Sequence, residues 1–416
     1  MRATIVIPSY WGRSSGEMFN KNDAVYDHPT PLDFEGTLTR ALESITVLSN
    51  RDFNVVVLAC ATSPDIEHLV EEKVRALAAP FESFFPLAVV SHSVEKRMSE
   101  YVAGQEGKKL DASLVSLTGY SNIRNMCLIV SELARSEVAV LFDDDQVYED
   151  PAYIDKVFEN IGHNFNGKPI LALAGYYLRP DGEYLVPPPT DWWMSEWPMV
   201  EAMNKAFSII GSGPRLKLTP FVFGGNMALH RDAFRKVAFD PRIRRGEDID
   251  YLVNCKFFDI DFLLDNQLAI KHLPPDSHVP AWAHFRENIY RFVYARAKLR
   301  GQVPVEGLRQ VEISELDPYP GRCMGDDLED LIYRTCILMG LSFMHAALGV
   351  KPGMKAGMRE ETEFHESMNN IRLARFDAPP KDDPFTTYLE LRASWEELMK
   401  FLASDETLAG ELKAAF

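Results

Sequence analysis

The sequence predicts an α/β fold: a mixed, mainly parallel sheet with helices on both faces, followed by an α-helical C-terminal extension. Three observations predict it. Short apolar runs alternate with segments of helical spacing through the first half of the chain, and such alternation assembles as a parallel sheet covered by helices. The runs are almost continuously apolar, as strands buried on both faces are. From about Ala281 onward only helical spacing remains.

The elements follow in order. ATIVIP at 3–8 is a strand ending in a proline, FNVVVLAC at 53–60 a second and PLAVVSH at 86–92 a third. VAVLF at 138–142 and PILALAGY at 169–176 are the fourth and fifth. Between them, 34–48 places Leu38, Ala41, Leu42, Ile45 and Leu48 on one helical face, and 65–77 and 121–134 do the same. Residues 176–220, rich in Pro and Trp, read as a long excursion from the sheet, and 221–272 return to short strands. In the C-terminal part Trp282, Phe285, Ile289, Phe292 and Val293 form one apolar face, and Leu328, Leu331, Ile332 and Cys336 another.

Composition narrows the function classes. The 416-residue chain carries 44 Lys and Arg against 61 Asp and Glu, a net charge of −17. Such an acidic chain is a poor fit to sequence-independent nucleic-acid binding or to a polybasic membrane footprint. Five cysteines without CxxC spacing read as reduced thiols in a cytoplasmic protein. No secretory signal is visible. The apolar stretch 336–350 is shorter than the ~20 residues a bilayer span needs, and reads as a buried helix. The basic segment RFVYARAKLRG at 291–301 reads as the charged side of a packed helix.

In sheets of this kind ligands sit beyond the carboxyl ends of the strands. Three consecutive aspartates, Asp143, Asp144 and Asp145, directly follow the fourth strand. Like charges side by side at the end of a buried strand need a compensator. Mg²⁺ or Mn²⁺, which prefer carboxylate oxygens and keep room for phosphate, would serve. A solvated turn is the alternative. Downstream, Gly224 and Gly225 allow close backbone approach to a ligand. Glu247 and Asp248 follow Gly246 and open a helix, where acidic residues are also favoured simply by the dipole. His272 ends the apolar run LAIKH.

Together these segments resemble the nucleotide-sugar-dependent glycosyltransferases of the GT-A fold, most closely the family 2-like group. The resemblance runs through IVIPSY at 5–10, NIRNMCLIVSELARSEVAVLFDDDQ at 122–146, FGGNMALHRDAF and GEDIDY. It covers roughly 1–275 and implies a catalytic domain there, with a nucleotide-sugar half at about 1–146 and an acceptor half at about 147–275. The α-helical region 276–416 follows, read as shaping the acceptor site or a homo-oligomer interface. The resemblance implies a DxD-type metal site on Asp143 and Asp145, completed by His272, with Mg²⁺ or Mn²⁺ on the diphosphate of a nucleoside diphosphate sugar. It implies Asp248 as the base of an inverting enzyme, with Glu247 as its neighbour. Pro8, Tyr10, Arg124, Asp143, Asp144, Gly224 and Gly225 fall on the donor side. Asn226, Trp192 and Trp193 fall toward the acceptor, a carbohydrate or small molecule. The aromatic loop of Trp192, Trp193 and Trp197 either stacks on a sugar or docks onto the helical region. His278 and His284 are alternative metal ligands.

The chain departs from the pattern after the second strand. There VLACATSPD replaces the usual acidic, Gly- and Ser-rich turn, leaving the donor base open. The 11–31 loop is also long. Three rival readings share the fold: a retaining enzyme of the mannosylglycerate or glucosylglycerate synthase kind, a nucleotidylyltransferase, and a non-catalytic sugar-binding or scaffold protein.

Overall fold

A computed structural model describes residues 1–17, 23–24, 26, 29–275, 279–348 and 358–416. Eight strands form the main path of a ten-stranded sheet: β1 Ala3–Gly12, β2 Phe53–Ala61, β3 Leu87–Val90, β4 Val138–Leu141, β5 Ala172–Leu178, β6 Leu216–Leu218, β7 Met227–His230 and β8 Phe262–His272. Their spatial order is β6-β8-β5-β7-β4-β1-β2-β3. β1 pairs in parallel with β2 and β4, β2 with β3, and β8 with β5. β7 runs antiparallel between β4 and β5, and β6 antiparallel to β8. The sheet is mixed and mainly parallel, as expected.

The near-continuous apolar runs are explained by burial on both faces. Along β1, Ile5 and Ile7 join one core layer with Leu38 and Leu42 of the helix Leu38–Ile45. Val6, pointing to the other face, joins a second layer with the helix Tyr120–Leu133. The C-terminal helices share this second layer. Trp395 on Pro384–Ser404 donates to the Phe234 carbonyl (2.8 Å), and Tyr388 to that of Ala238 (3.0 Å).

Several boundaries differ from expectation. β1 does not stop at Pro8 but continues to Gly12, pairing with β2 as far as Trp11 and Ala61. The Phe142 amide donates to the Val6 carbonyl, so Val6 and, by alternation, Pro8 face β4. The β1–β4 register ends at Val6 and Leu141, and the missing N–H of Pro8 breaks no ladder there. The 176–220 excursion contains its own helix, Met199–Phe207. The apolar stretch near the C-terminus lies on the helix Leu328–Leu348, which is only partly buried: Ile337, Leu341 and Met344 are exposed. No helix among the described residues is long and apolar enough to cross a membrane.

Strand direction positions the site. β1, β4, β5 and β8 all end at one edge of the sheet, while antiparallel β7 begins there. This brings the segment before β7, with Gly224 and Gly225, to the same edge as Asp143–Asp145 and His272.

Candidate active site

At that edge lies a cleft of about 440 Å³. Its polar lining includes Arg124, all three aspartates, Glu247, Asp248 and His272. Tyr10, Gly224, Tyr177, Arg291 and Tyr319 also line it, with Phe207, Phe221 and Phe223 forming an apolar wall.

The three aspartates have three different partners. Asp143 accepts both terminal nitrogens of Arg124, at 2.7 and 3.2 Å. Asp144 turns to β1 and accepts the Ser9 hydroxyl at 2.7 Å. Burial, then the Asp145 and Asp143 carboxylates, push its pKa up to about 8. Asp145 faces His272, whose Nε2 is 3.1 Å from Oδ2. The other oxygen, Oδ1, is buried without a hydrogen-bond partner.

The Asp145–His272 meeting is built by the backbone. The two-residue strand Gln146–Val147 pairs antiparallel with the end of β8, His272 opposite Gln146, and the Leu273 amide donates to the Asp145 carbonyl (2.8 Å). Tyr177 supports it from β5. Its ring stacks on the imidazole, centroids 4.9 Å apart, and its hydroxyl accepts from the Gly225 amide and from Gln146. Burial lowers the His272 pKa, but the Asp145 carboxylate outweighs this and holds it above the usual value.

A buried carboxylate oxygen with no partner beside an imidazole nitrogen fits a divalent cation. Asp145 and His272 are the residues that would hold it. Asp143, occupied by Arg124, is not grouped with them. Among the described residues, no three His, Cys, Asp or Glu side chains are arranged to hold a metal by themselves. The remaining coordination positions would be left to phosphate oxygens and water.

The helix Glu247–Phe257 presents its N-terminus to the same cleft. Gly246, its cap, has φ +76°, and a Cβ there would run into Arg291. Glu247 is buried and receives Arg124 Nε at 3.2 Å, so one guanidinium clamps Asp143 and Glu247 together. Half-buried Asp248 accepts the Gly224 and Ile249 amides, at 3.2 and 2.8 Å. Burial raises its pKa against the pull of Arg291. At Gly225 a Cβ would collide with Gln146 and Asp143, so the backbone presses directly on the acidic cluster.

Other expected site residues stand apart from the cleft. Pro8 is buried inside β1 and does not line it. Asn226 does not face an acceptor: its fully buried amide accepts from Tyr153 and donates to the Tyr176 and Leu268 carbonyls, filling the gap where the β5–β8 register shifts. Trp193 is 4% exposed and belongs to the core, and Trp197 packs edge-on against Phe285. Trp192 is 58% exposed and lines no part of the cleft. Of the two roles open to this loop, the structure places it against the C-terminal helices. His284 lies 2.9 Å from Arg245, not at the acidic cluster, and His278 lies outside the described residues.

Sequence reasoning missed Tyr177, Arg291 and Tyr319. Arg291 comes from the helix Ala281–Arg300 and bonds the Tyr319 hydroxyl, while its Nε is buried without a partner. The one available signal was the basic run at 291–301. Its cations do not coat a helix side: Arg291 enters the cleft, Lys298 is buried, and Arg296 and Arg300 are paired with Glu329 and Asp326.

No family model matches the sequence, and no curated protein does. Among solved structures, the chain is similar to a mannosyltransferase from Pyrobaculum calidifontis in complex with GDP-Man and Mn²⁺, at 13% identity and TM-score 0.44, over 97% of this chain and 88% of that one. It is also similar to a mycobacterial protein, at 15% identity and TM-score 0.38, over 70% and 72% of the two chains. A third is GalNAc-T7 with UDP, GalNAc and Mn²⁺, at 12% identity and TM-score 0.37, over 80% and 56%. All three TM-scores lie below 0.5.

Proposed function

We propose that this protein is a metal-dependent, inverting glycosyltransferase of the GT-A fold and family 2-like group, a cytoplasmic enzyme that moves a sugar from a nucleoside diphosphate sugar to a hydroxyl acceptor. Its catalytic part is residues 1–275, with the helical region 276–416 lending Arg291 and Tyr319 to the cleft. One observation carries the reading. The unpartnered Asp145 oxygen beside His272 shares a cleft with a half-buried carboxylate, Asp248, whose pKa is raised.

Bound at Asp145 and His272, Mg²⁺ or Mn²⁺ would neutralise charge on the leaving diphosphate. Arg124 holds Asp143 and Glu247 in place, and the Gly224–Gly225 backbone lets the sugar lie close to the acidic cluster. Asp248 takes the acceptor hydroxyl proton as the acceptor oxygen bonds to the anomeric carbon. The anomeric carbon–oxygen bond breaks, and its electron pair leaves with the diphosphate. Tyr10, packed on Tyr26 and Tyr120 at centroid distances of 4.6 and 5.5 Å, offers a platform for the nucleotide base.

The test is thermal stabilisation by a panel of nucleoside diphosphates with and without Mn²⁺, followed by hydrolysis of the matching sugar donors. At least one nucleotide should stabilise the wild type only with Mn²⁺, and Asp145→Ala should abolish that increment while remaining folded. Stabilisation that ignores Mn²⁺, or survives in Asp145→Ala, would sink the assignment.

A further inference from the structure

A second cavity, of about 450 Å³, adjoins the cleft. Residues 242–246 form the wall between the two. Arg242 and Arg244 line the second cavity, Arg245 and Gly246 line the cleft, and Arg291 lines both. The wall is anchored from below, because Ile243 is buried and its carbonyl accepts the Ser121 hydroxyl at 3.0 Å.

The charge of this cavity runs against that of the chain. Arg242, Arg244, Arg291 and Lys381 line it, against Asp377 and Asp382, and Arg242 is 3.9 Å from Asp240 outside the cavity. Asp377 is further offset by Arg372, 3.8 Å away outside the cavity. In a protein of net charge −17, a concave site with a surplus of cations concentrates anions locally. Arg244 lies over the Tyr290 ring at 4.4 Å. Stacking engages the face of a guanidinium, whereas a carboxylate or phosphate binds its edge, so Arg244 is pre-oriented for an anion.

We propose that this cavity holds the anionic group, a phosphate or carboxylate, of a hydroxylated acceptor whose free hydroxyl reaches past Arg291 to Asp248. The inference rests on the glycosyltransferase reading of the cleft and names the acceptor class for it.

The experiment is calorimetric titration of the full chain, saturated with Mn²⁺ and its preferred nucleoside diphosphate, with glycerol 3-phosphate, gluconate and uncharged glycerol. Charge-assisted hydrogen bonds predict that one of the two anions binds about 10-fold or more tighter than glycerol, and which one does so separates phosphate from carboxylate. In Arg244→Ala/Lys381→Ala, two exposed positions, that preference should fall below about 3-fold. Mn²⁺-dependent stabilisation by the nucleotide should be unchanged in the same variant. No preference for either anion, a preference that survives the double substitution, or competition between anion and nucleotide would overturn the inference and leave the cleft reading standing. Failure of every nucleotide to bind the wild type would overturn the cleft reading, and this one with it.

Discussion

Replacing Lys298 with Met should destabilise the protein by about 3–5 kcal/mol, the usual consequence of stranding a buried charge partner. Lys298 is 0% exposed. Its ammonium lies 2.8 Å from Asp240 and 2.7 and 2.9 Å from the two oxygens of Asp250, with Asn254 at 3.3 Å. Asp250 sits on the helix that carries Asp248, and Lys298 on the helix that carries Arg291. The cluster therefore ties the two halves of the cleft together. In the wild type, burial would raise the Asp240 pKa, but Lys298 overcomes this and lowers it. Its contribution is therefore present above the ordinary aspartate pKa of about 3.9, and is lost as pH falls through the lower native value. Asp250 differs, because burial holds its pKa above the usual value even beside Lys298. In Lys298→Met the attraction is gone, and both buried carboxylates are left to protonate with raised pKa values. The native state then binds more protons than the unfolded chain, so the variant should lose stability as pH rises from about 4 toward 7. Urea denaturation of both proteins at pH 5 and pH 7.5 reads this directly. The gap should widen at the higher pH, and adding Asp240→Asn and Asp250→Asn should recover most of it. A loss under about 1 kcal/mol, or one independent of pH, would refute the reasoning.

Three further outcomes are expected. Asp248→Asn should cut transfer by about 10²–10⁴-fold with Mn²⁺-dependent nucleotide stabilisation intact; parallel loss of donor affinity would make Asp248 a donor ligand. Gly225→Ala should fold but displace Asp143 and Gln146, lowering turnover by up to about 100-fold, measured as steady-state donor hydrolysis. Asn226→Ala should lower the urea-derived stability by about 1–3 kcal/mol, because it strands the buried Tyr153 hydroxyl and two strand carbonyls.

Much of the sheet was legible because its signals are local. A run such as FNVVVLAC is apolar at seven of its eight positions because both faces of β2 are covered, and no other part of the fold is needed to see it. The boundaries were less legible. Pro8 reads as a stop, and only the end of the β1–β4 register shows why the strand can pass through it.

By itself the sequence determined the α/β alternation and marked the candidate site residues: Asp143–Asp145 after β4, His272 at the end of β8, Gly224 and Gly225 before β7. The alternation follows from periodicity, which nearest neighbours set; the aspartates are marked by their place after a buried strand, and His272 and the glycine pair by the family resemblance. Tertiary structure decided how each polar group is used. Arg124 takes Asp143 and leaves Asp145 to His272, although the three aspartates are indistinguishable as a sequence run. It turned Asn226 inward to bridge shifted strands and seated Trp193 in the core. It also drew Arg291 from the C-terminal helices into the cleft, beside a basic cavity that an acidic composition gave no hint of. The physical reason is that a hydrogen bond or ion pair is settled by whichever partner folding brings within about 3 Å, and these partners come from distant segments of the chain.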